Sequence, residues 1–375
     1  MDNLYAVIFA GGAGGRLWPV SRRNSPKQLN PFLDNADTLL QRTWRRMRKL
    51  LPPEQIYIST VRGYENIISS QLPEFLLNNL IIEPTLRDTT AAIGLATTVI
   101  ARRHPGAFMM NVWSDHVYAD EEKFVAVIKQ LYQSLQQQPD IIMSVGVPIA
   151  YPYTGYGYLE VEATPISEQM FQVKRFVEKP NLTDAEKYMR AGNYYWNPAL
   201  WMWQVEHMLQ LYQQYVPDMH AGLMQIQNLV DTPDYSKTVQ TIYPTFTKVA
   251  VDYAIFEKGP TMRLIPAELG WRDVGSWQSV YEVLNGKSAS ASVATKGQAL
   301  TLDCENVLVF NEDNKKLVTV VGLEDVAVIN TPDAVLVVKK SQDQAVKKLI
   351  AKLEKEEMTE YLWWCRLVNV GNESK

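Results

Sequence analysis

Cysteine is almost absent from this chain of 375 residues, which has only Cys304 and Cys365. Two isolated thiols build neither a disulfide framework nor a thiolate metal site. They suit a reducing compartment, so a cytoplasmic protein is expected. Positive charge is not in excess either: 37 lysines and arginines against 41 acidic residues leave a net charge of −4. That balance supplies no general basic field. Nucleic acid is therefore not expected as a partner, and affinity for phosphate has to come from a local cluster. No apolar run is long enough to span a bilayer, and no membrane partner is expected. No secretory leader is read at the amino end, where Asp2 is acidic and the apolar run to Ala10 stops at glycines. What the chain does have is a hydrophobic content of 46%, enough for one large α/β domain and a smaller module. It also has ten tryptophans, several of them near the carboxyl end.

The most informative stretch is LYAVIFA-GGAGGRLWPVSRRNSPKQL. Leu4–Ala10 reads as a buried strand. Gly11, Gly12, Gly14 and Gly15 follow at once, and without Cβ atoms they let the backbone turn sharply and bring N–H groups against an anion. Arg16 adds a forked charge suited to phosphate, and Lys27 a mobile point charge. A phosphate-rich ligand at the carboxyl end of a first parallel strand is expected. The plainer alternative is a tight turn with no ligand. The P-loop motif is excluded because no Lys-Ser/Thr pair follows the glycines. The dinucleotide fingerprint fails at Leu17, where its last glycine belongs. Asp34 stands where a ribose-binding acid would, but it follows Pro31 rather than a second strand, which leaves a nicotinamide dehydrogenase a weak reading.

The first half alternates strand-like and helix-like segments, so a Rossmann-like, mostly parallel sheet with helices on both faces is expected, an α/β fold. Strands are read at Gln55–Thr60, Leu80–Glu83, Phe108–Trp113 and Asp140–Val147, and helices at Leu39–Leu51, Tyr64–Leu72, Thr89–Arg103 and Asp120–Gln137. Residues 150–280 read as less regular. Gly286–Thr295 reads as a linker. Beyond it, Ala299–Leu302, Asn306–Phe310, Lys316–Val321, Val326–Asn330 and Ala334–Val338 read as short strands of a small β module. Gln342–Glu357 reads as a helix. The apolar Tyr361–Cys365 either packs within the chain or meets a second copy in a homodimer. The expected divisions are 1–285, 286–341 and 342–375.

Several polar residues sit where chemistry is done. Asp115 and His116 follow the strand Phe108–Trp113, at the sheet end where ligands bind in open α/β folds. Asp273 lies far downstream beside Gly275. Two such carboxylates suit Mg²⁺, although each alone is more often a loop or cap residue. Phe176-Val177-Glu178-Lys179-Pro180 offers a carboxylate for vicinal hydroxyls and an ammonium for a phosphomonoester; a surface pair at a turn is the alternative. Asp88 either accepts from the N1–H and amine of guanine or caps the helix that starts at Thr89.

GGAGGRLWPVSR…PKQL resembles the signature of the sugar-1-phosphate nucleotidylyltransferases, with Gly15 where that family commonly has threonine. FVEKP, TGYGY (Thr154–Tyr158), Tyr195-Trp196-Asn197-Pro198-Ala199 and Glu83-Pro84-Thr85-Leu86-Arg87-Asp88-Thr89 resemble further segments of it. Val251-Asp252-Tyr253-Ala254-Ile255-Phe256-Glu257 is similar to its guanylyl, mannose-type branch. The resemblance implies a left-handed β-helix for the small module. It implies an enzyme that converts GTP and mannose 1-phosphate to GDP-mannose and pyrophosphate with Mg²⁺ on Asp115 and Asp273. Arg16 and Lys27 would act on the phosphates. Gly11, Gly12, Gly14, Gly15, Asp88 and Thr89 would bind the nucleotide. Gly157, Glu178, Lys179, Asn197 and Asp252 would bind the sugar phosphate. Pro198 and Ala199 depart from the family's small pair and leave another manno-configured sugar, a heptose, as the alternative. A regulatory homologue that binds GDP-mannose without making it is a further one. The chain ends soon after the β module, and phosphomannose isomerase activity is not expected.

Overall fold

The computed structural model describes residues 1–363 apart from 13, 32, 34–36, 168 and 287–291, so Asp34 and Cys365 lie outside the described residues. The chain forms two compact units, Met1–Gly11 with Leu40–Trp271, and Gly12–Leu39 with Arg272–Lys375.

In the first unit the strands of the large sheet are β1 (Leu4–Phe9), β2 (Ile56–Val61), β3 (Leu80–Glu83), β4 (Phe108–Trp113), β5 (Ile142–Pro148), β6 (Gly157–Val161), β7 (Phe171–Val177), β8 (Tyr194–Asn197), β9 (Trp201–Gln204) and β10 (Met262–Pro266). They form one sheet in the order β10-β7-β6-β8-β5-β9-β4-β1-β2-β3. Its helices are α1 (Leu39–Arg48), α2 (Glu65–Gln71), α3 (Asp88–Arg103), α4 (Glu121–Gln137), α5 (Leu182–Ala191), α6 (Val205–Tyr215), α7 (Pro217–Gln227), α8 (Tyr235–Ile242) and α9 (Val251–Ala254). Every residue of β1 is buried, which requires cover on both faces. Tyr5, Val7 and Phe9 join the core that holds Ala91–Leu95 of α3. Phe108, level with Leu4 and so on the other face, meets the Tyr132 ring of α4 edge-on with centroids 5.5 Å apart.

The expected helices and strands of the first half are all present, with ends shifted by a few residues. Two expectations change. Parallel pairing is confined to β3-β2-β1-β4 and to β5 with β10; β9, β8, β6 and β7 pair antiparallel. A loop without a helix joins β6 to β7, and such a short connection returns the chain as a hairpin. The supposedly irregular stretch 150–280 carries β6 to β10 and α5 to α9. Pro217 occupies the first turn of α7, where a missing N–H leaves no helix bond unmade.

In the second unit α10 (Trp277–Asn285) opens with a capping box between Ser276 and Ser279. Its strands are β11 (Val293–Lys296), β12 (Ala299–Leu302), β13 (Val307–Asn311), β14 (Val318–Val321), β15 (Val326–Asn330) and β16 (Val335–Lys339). β11, β13 and β15 stack in parallel, β12 stacks on β14, and β16 closes antiparallel on β15. Two parallel stacks fed alternately by the chain make the β-helix-like module. Val307, Val309, Val320 and Val328 fill it, and Asn330 donates to Asn311 at 2.8 Å as one rung of a ladder. β11 begins inside the expected linker, because Val293 pairs with Val307. The last helix, α11 (Val346–Lys355), is shorter than expected: Lys340–Ala345 form a 3₁₀ turn instead. Part of the apolar patch 361–365 packs within this unit, since Leu362 is buried and the Tyr361 carbonyl accepts from the Trp18 indole at 2.8 Å. Among the described residues no helix is long and apolar enough to cross a membrane.

Candidate active site

The clearest constellation lies in the first unit, where β6, β7, β8 and α9 bring Gly157, Glu178, Lys179, Asn197 and Asp252 together. Gly157 is the register partner of Asn197. A Cβ on Gly157 would stand 2.7 Å from Glu178 Oε2 and 2.9 Å from the Phe176 ring, so the missing side chain is what lets the Glu178 carboxylate occupy that place. Glu178 forms an ion pair with Lys179, whose side chain is half exposed. The Glu178 N–H donates to Glu257 Oε1 at 3.1 Å, fixing the strand end.

Asp252, at the start of α9, shares this charge cluster. Burial of its carboxyl and the neighbouring Glu178 carboxylate push its pKa up, Lys179 pulls it down and Asp88 adds to the rise, giving about 7. Burial draws the Lys179 ammonium down, but Glu178, with Asp252 and Tyr253, outweighs it, and the pKa stands above the usual lysine value. A cation placed among hydroxyl-binding carboxylates and an amide can hold a phosphomonoester while its neighbours hold the attached polyol.

Asn197 Oδ1 accepts from the Ala199 N–H at 2.8 Å, and the Ala199 carbonyl accepts from Asn111 at 2.8 Å and the Trp113 indole at 2.7 Å. Ala199 takes φ +49°, a left-handed conformation. The loop thus keeps the backbone of a glycine although the residue is alanine. Ala199→Gly is expected to stabilise the protein by about 0.5–1 kcal/mol, relief of the Cβ conflict outweighing the added chain entropy. A higher thermal midpoint checks this, and a lower one contradicts it.

Asp88 is exposed at the first turn of α3 with φ +66°, and its Oδ1 accepts from the Thr89 N–H at 2.8 Å. Thr89 Oγ1 accepts from the Val251 N–H at 2.9 Å, and Thr90 Oγ1 donates to the Val249 carbonyl at 2.7 Å. These bonds tie the start of α3 to the segment that carries Asp252. One buried acid was not singled out from the sequence: Glu83, at the end of β3, accepts from the Tyr243 hydroxyl at 2.6 Å. A Cβ on Gly11 would lie 3.4 Å from it. Burial raises its pKa, against the opposing bonds from Tyr243 and Ser59. Its signal was the leading acid of Glu83-Pro84-Thr85-Leu86-Arg87-Asp88.

Asp115 is half-buried on the turn after β4, anchored by the Ser114 N–H to the Phe9 carbonyl at 3.2 Å. Tyr118 beside it is raised by burial first and then by the Asp115 charge, with Arg46 opposing. His116 is buried and accepts at Nδ1 from the Trp271 indole at 3.2 Å, which fixes the direction of its ring.

In the second unit Gly14 adopts φ +62°, and a Cβ there would sit 2.6 Å from Ser21 Oγ. Gly12 is exposed, and among the described residues no atom lies within 4 Å of where its Cβ would stand, while its carbonyl accepts from the Gln28 amide at 3.0 Å. Arg16 rides on the 3₁₀ turn Gly15–Leu17. Lys27 is buried and donates to the Val274 carbonyl at 2.7 Å, the residue next to Asp273. Gly275 leaves room for Asp273, since a Cβ would stand 2.9 Å from its Oδ1. Carboxylates such as Asp115 and Asp273 are the hard oxygen donors a Mg²⁺-sized ion prefers.

Residues 5–289 match the nucleotidyl transferase family, and residues 297–353 the MannoseP isomerase/GMP-like beta-helix domain. The chain is 34% identical over 371 residues to mannose-1-phosphate guanylyltransferase 2 of Escherichia coli O157:H7, covering 96% of this chain and 75% of that one. It is 33% identical over 362 residues to mannose-1-phosphate guanylyltransferase of Escherichia coli K12, covering 94% and 74%. The solved mannose-1-phosphate geranyltransferase of Thermus thermophilus superposes with a TM-score of 0.82 at 27% identity, covering 94% of this chain and 99% of that one. The chain belongs to the nucleotidyl transferase family and, within it, to the mannose-1-phosphate guanylyltransferases. Members of this family use a divalent metal ion.

Proposed function

We propose that the protein transfers GMP from GTP to α-D-mannose 1-phosphate, giving GDP-mannose and pyrophosphate. The observation that carries this reading is the joining of Gly157, Glu178, Lys179, Asn197 and Asp252 into one cluster. A phosphate oxygen of the sugar attacks the α-phosphorus of GTP. The bond from that phosphorus to the β-phosphate bridge oxygen breaks, and pyrophosphate leaves opposite. No protein nucleophile is needed, because a phosphomonoester dianion is already one. The protein positions the reactants and neutralises charge.

Lys179 holds the attacking phosphate, while Glu178, Asn197 and Asp252 take the sugar hydroxyls. Gly11, Gly12, Gly14 and Gly15 offer backbone to the triphosphate. Arg16 binds the β- and γ-phosphates, and Lys27 offsets charge growing on the α-phosphoryl group. Asp88, exposed at the start of α3 beside Thr89, accepts from N1–H and the amine of guanine. Asp115 and Asp273 hold Mg²⁺, which when bound neutralises phosphate charge. GTP and sugar phosphates are metabolites of the cell interior, which supports a cytoplasmic site of action. The exposed Leu300, Leu302 and Val321 on the β-helix-like module support a homodimer, which sedimentation would test.

Pyrophosphate release with GTP, Mg²⁺ and mannose 1-phosphate tests the reaction, with ATP, UTP and other hexose and heptose 1-phosphates run alongside. GTP-selective release with mannose 1-phosphate is expected. Release only with another sugar would keep the mechanism and replace the substrate. Silence together with tight GDP-mannose binding would replace the enzyme by a sensor.

A further inference from the structure

Gly15 stands where threonine is common, and the second unit shows what occupies the space. A Cβ on Gly15 would lie 3.2 Å from Ile350 Cδ1, the one neighbour within 4 Å among the described residues. The backbone there is not left-handed, so the main chain imposes no demand for glycine; the neighbouring helix does. Ile350 belongs to the apolar stripe Val346, Leu349, Ile350 and Leu353 of α11, at the spacing of one helical face. The helix carries Lys347, Lys348 and Lys352 on other faces.

The segment just after Arg16 is fastened to the same part of the chain. The Trp18 indole donates to the Tyr361 carbonyl at 2.8 Å, and Arg22 donates to that carbonyl as well. The Arg23 N–H donates to the Leu362 carbonyl at 3.0 Å, and the Arg23 guanidinium pairs with Glu354 of α11. The Trp277 indole of α10 donates to the Trp18 carbonyl at 3.2 Å. The turn that carries Arg16 is therefore held by a helix behind Gly15 and by bonds to the Tyr361 and Leu362 carbonyls from the Trp18 and Arg22 side chains and the Arg23 N–H. The contacts with α11 and the turn after it join residues more than 300 positions apart.

We propose that α11 and the 3₁₀ turn Thr359–Leu362 form a clamp that sets the phosphate loop, with Ile350 as a positioning residue acting through Gly15 on the presentation of Arg16 to the nucleotide. The inference rests on the reading of that loop as the GTP triphosphate site. Glycine at 15 is then the partner Ile350 requires. A threonine adds two branches on its Cβ toward Ile350 and tips the turn, whereas a smaller residue at 350 accepts it.

Four proteins test this: the wild type, Gly15→Thr, Ile350→Ala and the double variant. Each is assayed for equilibrium GTP binding, for the KM of both substrates and for thermal midpoint. Gly15→Thr is expected to weaken GTP binding and raise its KM by about fivefold or more, and Ile350→Ala in that background to recover most of the loss, the mark of directly coupled sites. The KM for mannose 1-phosphate should stay as in the wild type, which a general loss of structure would not allow. Equal losses with and without Ile350→Ala, or no loss at all, would overturn the clamp. If Gly15→Thr does not fold, Ile350→Ala alone decides: its GTP KM must rise while its sugar KM stays, and no change in the GTP KM overturns the proposal. Failure of the wild type to bind GTP would overturn the nucleotide reading itself, an outcome distinct from the loss of coupling.

Discussion

Asp273→Asn is expected to lower turnover with GTP and mannose 1-phosphate by about two orders of magnitude, the scale on which a strong electrostatic stabiliser acts. The substitution keeps the shape of the side chain and removes its charge, so the surrounding packing is retained. Gly275 keeps clear the space beside Oδ1, and Arg272 is engaged with Glu282 at 3.2 Å. The nearby ammonium of Lys27 is directed to the Val274 carbonyl. An asparagine oxygen is a weaker ligand for a hard dication and carries no charge to balance the phosphates. The loss should therefore be largest at low Mg²⁺ and shrink as Mg²⁺ is raised. Turnover close to the wild type at limiting Mg²⁺ would remove Asp273 from the metal site.

What the sequence discloses follows the range of the interactions. Leu80–Glu83 and Phe108–Trp113 are fixed by their own apolar runs, and the structure places both strands with those bounds. The β-helix-like strands are legible for the same reason. β11 is not, because Val293 and Ala294 sit in a run of small residues and become a strand only by pairing with Val307 and Leu308. The helices α6 and α7 are not legible in the stretch that reads as less regular, because their Tyr212, Met208 and Leu223 are buried in a core shared with α3.

The same distinction holds for the site. Glu178, Asn197 and Gly157 lie in short recognisable segments, and pairing in one sheet brings the last two level. The charge coupling of Asp252 to Glu178 and Lys179 could not be read, since residues more than 70 positions apart are brought together only by the fold. Nor could the contact of Ile350 with Gly15 be read, which depends on where the β module delivers α11. Glu83 is not legible as a buried acid, because an acid at a strand end looks like any solvated residue until Tyr243 closes over it.

The second large effect is at the sugar phosphate. Lys179→Ala is expected to raise the KM for mannose 1-phosphate about 100-fold, the loss of a charge-assisted bond made worse by the acids left behind. Without the ammonium, Glu178 and Asp252 face the incoming dianion unbalanced, with Asp88 nearby. The wild type should show a milder version of this as pH changes. Asp252 is raised from the ordinary aspartate value of 3.8 to about 7, so between roughly pH 6 and 8 it goes from protonated to charged. The added negative charge lies beside Lys179, and the KM for the sugar phosphate should rise through that window. Asp252→Asn should flatten the rise, and a rise that persists in that variant would assign it to another group. The same ionisation bears on stability with a definite sign. Because the folded pKa lies above the unfolded one, the folded protein holds the proton more tightly, and this contribution is lost as pH climbs through about 7. Ligand-free Asp252→Asn should therefore melt higher than the wild type at pH 8, and the gap should narrow as pH falls through about 7 toward 3.8. The incoming phosphate dianion disfavours the charged form of Asp252 in the same way, so binding of the ligand and ionisation of Asp252 oppose each other. Thermal protection by mannose 1-phosphate should accordingly depend on Asp252.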